Sequence, residues 1–238
     1  MTDARTEELA AQLARVQERI DAACAVAGRD PADITLIVVS KTWPVDDVRR
    51  LADLGVRDFG ENRDQEAAPK AAETADLGLR WHFVGQLQTN KANSVARYAD
   101  LVHSVDRASL VTALDKGAAK AGRRIGCLIE VDLTKGSEGR GGAHPEDVAA
   151  LADAVAAAEH LDLRGVMGVA PLDPGDQRAA SAAAFARLAA IAADLRRDHP
   201  AATILSAGMS EDLEEAVSAG ATHLRVGSAV LGTRPPLG

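Results

Sequence analysis

The chain has 238 residues, of which 47% are hydrophobic, 26% charged and only 3% aromatic. That balance supports a core of Ala, Val, Leu and Ile and excludes intrinsic disorder as the main description. A formal net charge of −8 opposes attraction to a polyanion, so nucleic acid is not an expected partner.

Between residues 5 and 27, Leu9, Leu13, Val16, Ile20 and Ala23 or Cys24 recur at three- and four-residue spacing, which predicts one amphipathic helix closed by Gly28. Asp30-Pro31 then breaks the chain. From there short apolar runs alternate with longer Ala-rich helical runs, separated by Gly or Pro. Strands are predicted at 34–40, 56–59, 81–84, 101–105, 125–131, 163–169, 203–206 and 222–226. Helices are predicted at 45–54, 63–75, 91–98, 108–121, 146–158, 178–197 and 211–219, with a short one after Gly227. About eight short strands alternating with helices over roughly 200 residues give an α/β fold of the (β/α)8 barrel type. A doubly wound open sheet is the alternative, weakened because no Gly-rich dinucleotide fingerprint follows the first strand.

No linker divides the chain, so residues 1–238 are expected to form one barrel domain, with residues 1–30 as an N-terminal helix packed on it. The Gly-rich stretch 135–142 and the segment 171–176 are expected to be loops over the barrel mouth. Cys24 and Cys127 lie far apart, without a CxxC or a His cluster, so neither a disulfide framework nor a zinc site is expected. Residues 1–14 read as charged helix without an apolar leader core, and no run approaches the roughly 18 apolar residues of a membrane span. A cytoplasmic protein without membrane contact is the expectation.

In such a barrel, function sits at the carboxyl ends of the strands. The first strand runs straight into Lys41, where desolvation would lower the amine pKa as a Schiff-base lysine requires. A lysine there can equally snorkel to solvent or pair with a carboxylate. The seventh strand ends in Ser206-Ala207-Gly208-Met209-Ser210 and the eighth in Val226-Gly227-Ser228, each ahead of a helix. Two such turns after strands seven and eight are the layout that commonly holds a phosphate, although each serine alone is an ordinary N-cap. Alternation sends Arg225 into the barrel, where its guanidinium needs an acceptor: a barrel carboxylate or a ligand. Phe59-Gly60-Glu61-Asn62 offers polar groups beside Lys41. His82, opposite Trp81 and Phe83 in alternation, is a ring contact, a proton carrier or a satisfied core histidine. The remaining histidines show no ligand spacing, so no metal is expected. A strand-end lysine, a two-loop phosphate cradle and an inward arginine describe a site for a phosphorylated aldehyde, and pyridoxal 5′-phosphate satisfies all three.

Six segments carry a resemblance: Val38-Val39-Ser40-Lys41-Thr42, Phe59-Gly60-Glu61-Asn62, the run from Trp81-His82-Phe83-Val84-Gly85 to Gln88-Thr89-Asn90-Lys91, Arg164-Gly165-Val166-Met167, Ser206-Ala207-Gly208-Met209-Ser210 and Arg225-Val226-Gly227-Ser228. In them the sequence resembles the pyridoxal phosphate homeostasis proteins, also called the YggS or PROSC family. The resemblance implies an alanine-racemase-like barrel in which Lys41 joins the cofactor as a Schiff base. It also implies that Ser210, Gly227 and Ser228 hold the phosphate with Met209 contributing backbone, that Arg225 faces the pyridine nitrogen, and that Asn62 and His82 line the ring side. Two departures stand out. Arg63 occupies a position where many relatives have tyrosine, and the loop around Arg140 differs from the lysine-containing loop common elsewhere.

An arginine at the ring nitrogen disfavours its protonation and makes the ring a poorer electron sink. Racemases of this fold take a second base from a tyrosine of an added β-domain, whereas Tyr98, the one tyrosine, ends a predicted helix. The expected function is therefore intracellular vitamin B6 and amino-acid homeostasis: a monomeric protein that holds pyridoxal phosphate and passes it to apo-enzymes. The alternatives are an amino-acid racemase and a Schiff-base aldolase.

Overall fold

The computed structural model describes residues 3–134 and 141–233. The expected loop at 135–142 falls mostly outside the described residues. Helix α1 (Ala4–Ala27) starts where the Asp3 carboxylate accepts the Thr6 N–H, and it ends at Gly28, whose φ of 64° only glycine adopts freely. The barrel alternates from there: β1 (Thr35–Val39), α2 (Val45–Asp53), β2 (Asp58–Glu61), α3 (Asp64–Glu73), β3 (Arg80–Phe83), α4 (Ala92–Val95), β4 (Leu101–Val105) and α5 (Ala108–Ala121). It continues with β5 (Ile125–Val131), α6 (Val148–Ala156), β6 (Leu161–Gly168), α7 (Gln177–Asp198), β7 (Ile204–Ser206), α8 (Leu213–Ser218), β8 (His223–Val226) and α9 (Ser228–Leu231).

The strands pair in parallel and in chain order, and β8 returns to β1 with Thr35 opposite His223 and Val38 opposite Val226. The sheet is closed, which decides for the barrel over the open sheet. Parallel strands are covered on both faces, which is why they read as apolar runs. Outward residues such as Phe59, Trp81, Phe83, Leu224 and Val226 join the helices in one large shell of core. Inside, Leu101, Leu128, Met167 and Ile204 form a separate apolar cluster from β4 to β7. Beside it lies a buried polar set: Asp58 of β2, His82 of β3, His103 of β4, Ser206 of β7 and Arg225 of β8. Helix α1 buries Leu9, Val16, Ile20 and Cys24 and packs against α2, α8 and α9, with Arg19 making a bidentate pair to Glu214 at 2.8 and 2.9 Å.

Candidate functional site

β1 delivers the chain to a tight turn that carries Lys41. The Trp43 N–H closes the turn on the Ser40 carbonyl at 3.1 Å. Thr42 sits at φ 69°, a left-handed conformation that costs a β-branched residue about 1–3 kcal/mol. Its N–H donates to Glu66 Oε2 at 2.8 Å, which helps hold the strained peptide. Behind the turn, Lys70 Nζ donates to the Ser40 carbonyl at 2.8 Å and to Glu61 Oε1 at 2.6 Å, and Ser40 Oγ donates to the same Oε1 at 2.7 Å. Both members of this ion pair are buried. Burial pushes the Glu61 carboxyl up, against the opposing pull of Lys70 and Ser40. The backbone immediately before Lys41 is therefore clamped by a buried ammonium that sequence inspection passed over. The available signal was Lys70 standing between Ala67 and Ala71 on the inner face of α3.

Across the mouth, Gly208 turns the chain after β7 at φ 89°, where a Cβ would come within 2.5 Å of Ala216 Cβ. The next residue, Met209, donates its N–H to Asp212 Oδ1 at 2.7 Å, which shapes the loop that presents Ser210. Ser210 Oγ accepts the Ala229 N–H at 3.2 Å and lies 3.1 Å from Ser228 Oγ. The two serine turns expected to work together thus meet at one point. Arg225 points inward as alternation requires, donating from Nη1 to Ser206 Oγ at 2.6 Å and from Nη2 to the Gly168 carbonyl at 3.0 Å. Burial lowers its pKa to about 10, so it remains charged at neutral pH. Its contacts are a hydroxyl and a carbonyl, and among the described residues the barrel carboxylate weighed from sequence is not in contact with it.

A cavity of about 790 Å³ opens at these strand ends. Lys41, Asn62, Met209, Ser210, Arg225, Gly227 and Ser228 all line it, seven of the eight residues singled out from sequence. Asn62 is brought there by a close approach of backbone, since a Cβ on Gly85 would fall 2.3 Å from the Asn62 carbonyl oxygen. His82 is not among the lining residues. It lies in the barrel interior, bonded to Asp58 at 3.0 Å and His103 at 3.0 Å, so of the alternatives left open it takes the part of a satisfied core histidine. Tyr98 is not among the residues lining this cavity. Its hydroxyl donates to Asp64 Oδ1 at 3.4 Å, and burial raises its pKa. Among the described residues no group of three His, Cys, Asp or Glu side chains could hold a metal, and no helix is long and apolar enough to cross a membrane.

An amine, two convergent hydroxyls and a fixed guanidinium around one cavity suit a small molecule that carries both a carbonyl and a dianionic group. Fold and cavity together define a parallel barrel with a binding site at its mouth. Residues 7–235 match the family model for the alanine racemase N-terminal domain. The chain is 43% identical over 226 residues to the pyridoxal phosphate homeostasis protein of Pseudomonas aeruginosa, covering 95% of this chain and 96% of that protein. It is 35% identical over 230 residues to the protein of the same name in Escherichia coli K12, covering 95% and 97%. Among solved structures, PipY of Synechococcus elongatus with pyridoxal phosphate bound superposes with a TM-score of 0.80 at 36% identity, covering 94% of this chain and all of that one. Alanine racemase of Corynebacterium glutamicum shares the fold alone, with a TM-score of 0.68 at 18% identity, and 62% of its chain is covered. The chain belongs to the pyridoxal phosphate homeostasis protein family.

Proposed function

We propose that this protein binds pyridoxal 5′-phosphate at the barrel mouth, with Lys41 as the residue that takes the aldehyde as a Schiff base, and that it serves vitamin B6 and amino-acid homeostasis. The observation that carries this reading is the convergence of Lys41, Ser210, Ser228 and Arg225 on one cavity. When bound, the cofactor supplies a carbonyl that condenses reversibly with primary amines and a ring that accepts electron density. The chain's own residues set the terms. Ser210 and Ser228 hydroxyls hold the phosphate, with Met209 and Gly227 supplying backbone around it. Arg225 presents a permanent cation to the ring nitrogen and so disfavours a proton there. Asn62 borders the ring beside Lys41. The Lys70 and Glu61 clamp keeps the amine-bearing turn in place.

We further propose that the whole chain acts as one cytoplasmic unit, a monomer, that holds the reactive aldehyde and releases it to apo-enzymes. Tyr98 bonds Asp64 and is not among the residues lining the cavity, which supports a site without a second base. Borohydride trapping followed by peptide mass spectrometry tests the central claim. The label is expected on Lys41, and Lys41→Ala is expected to lose the covalent adduct while keeping some phosphate-dependent binding. A label on any other side chain refutes the assignment. Substantial conversion of L-alanine to its D-isomer would replace the carrier role with racemisation.

A further inference from the structure

A chain of buried polar side chains leaves the cavity at Arg225 and crosses the barrel interior. Arg225 Nη1 is 2.6 Å from Ser206 Oγ, and Ser206 Oγ is 3.0 Å from His103 Nδ1. His103 Nε2 is 3.0 Å from His82 Nδ1, and His82 Nε2 is 3.0 Å from Asp58 Oδ1. None of the five residues is more than 6% exposed. Asp58 is the first residue of β2, at the end of the barrel opposite the cavity, and there Arg80 Nε donates to it at 2.7 Å.

The two ends fix where every proton lies. A guanidinium has donors only. Asp58 is an ionised acceptor: burial would raise its pKa, but hydrogen bonds from His82 and Arg80 outweigh that and bring it to about 2. His82 therefore holds a proton on Nε2, and read from the arginine end of the chain its Nδ1 is the acceptor. His103 then donates from Nε2 and accepts at Nδ1, so the Ser206 hydroxyl donates to His103 and turns its lone pairs to Arg225. Starting from the arginine gives the same order, Arg225 to Ser206 to His103 to His82 to Asp58. Reversal would leave the Ser206 proton without its acceptor and bring a second cation toward Arg225.

We propose that His103, backed by His82 and Asp58, is a positioning residue for Arg225. It holds the Ser206 hydroxyl as an acceptor for the guanidinium, and so fixes which Arg225 N–H groups face the cavity and the ring nitrogen. None of the three is among the residues lining the cavity. The inference rests on the reading that pyridoxal phosphate lies against Arg225.

Two measurements test it. In the cofactor-free protein, nitrogen-15 NMR of the imidazoles should show both His82 and His103 as neutral Nε2–H tautomers at pH 7.5. An Nδ1–H tautomer or a protonated ring at either position overturns the proposed order. In the loaded protein, the pH midpoint of the visible absorption should move by about one pH unit in Ser206→Ala and His103→Leu, the size of one lost hydrogen bond to a charged group. Asp58→Asn should move it in the same direction by less, and His103→Gln, which offers both an acceptor and a donor, should restore it. Ser206→Ala is the smallest of these changes and keeps the test open if a histidine variant does not fold. Wild-type protein that takes up no pyridoxal phosphate refutes the binding reading and this inference with it. Wild-type protein that binds, beside a Ser206→Ala midpoint that stays put or variants that only lower the melting temperature, refutes the relay alone.

Discussion

Lys70→Met is the substitution that best probes how the amine-bearing turn is built. Lys70 is only 10% exposed at its side chain and Glu61 1%, so the change leaves a buried carboxylate with the Ser40 hydroxyl as its one remaining hydrogen-bond partner among the described residues. Among the described residues Glu61 Oε2 has no hydrogen-bond partner even in the intact protein. Breaking a buried pair from one side costs about 3–5 kcal/mol, mostly the penalty of the stranded charge. The pH dependence follows from the same residue. Burial already raises the Glu61 pKa above 4.5, and without Lys70 it rises further. Between the unfolded value and the raised folded value the native state binds a proton that the unfolded chain lacks, so stability falls as pH rises through that window. Relative to wild type, the variant should be least impaired near pH 4.5 and progressively worse toward pH 7.5. Urea unfolding at several pH values measures this, provided the slope with denaturant is unchanged. Adding Glu61→Gln removes the charge and should recover stability to within about 1 kcal/mol of wild type. A single-variant cost below about 1 kcal/mol at pH 7.5, or no gain from the second change, would refute the clamp.

Other outcomes follow from the same geometry. Ser210→Ala and Ser228→Ala should each weaken pyridoxal phosphate binding by about tenfold, one hydrogen bond to a charged group, while binding of phosphate-free pyridoxal is unchanged. Equal losses for both ligands would remove the serines from the phosphate site. Thr42→Gly should leave stability within about 1 kcal/mol, because relief of the left-handed strain offsets the added freedom of the unfolded chain. A loss above about 2 kcal/mol would show that the threonine side chain itself is needed. Burial holds His223 down to about 4, with His82 adding to the effect. The native state therefore resists a proton that the unfolded chain accepts below pH 6.5, and as pH falls from 6.5 toward 4 about 3 kcal/mol of stability should be lost. His223→Asn should flatten that part of the melting-temperature profile, and an unchanged slope would assign the acid sensitivity elsewhere.

The eight strands were legible because parallel strands covered on both faces are continuous apolar runs, and α1 because its apolar spacing is regular. Boundaries moved where side chains intervene. The helix predicted from 211 begins at Leu213, since Asp212 turns back to cap the Met209 N–H and uses those residues as a loop. The helix predicted over 91–98 is reduced to Ala92–Val95, because a 3-10 turn takes Thr89–Lys91 at one end and tighter bonds from the Arg97 N–H to Ser94 and the Tyr98 N–H to Val95 close it at the other. At the site, the positions of Lys41 and the serine turns around the cavity were legible because they stand at strand ends, and that of Arg225 because alternation within β8 turns it inward. Lys70, Thr42 and His103 were not. Lys70 acts through a helix face, Thr42 through a backbone angle no sequence displays, and His103 through a partner 103 positions away in Ser206. Only closure of the barrel brings that pair to 3.0 Å.

Arg225 shows how closure changes the electrostatic question. From sequence, a buried guanidinium required either a barrel carboxylate in contact or a ligand. Among the described residues no carboxylate touches Arg225, and its charge is compensated through intermediates instead: Ser206 and two imidazoles pass hydrogen-bond polarity to Asp58, while Asp212 and Glu130 act on Arg225 at longer range. A carboxylate placed directly against Arg225 would have spent the guanidinium's paired donors and cancelled its charge where the ring nitrogen is proposed to sit. Neutral acceptors hold the side chain without doing either. The polar side of the barrel interior thus lets one cation be buried and still face the cavity, which is what a residue meant to keep a ring nitrogen unprotonated requires.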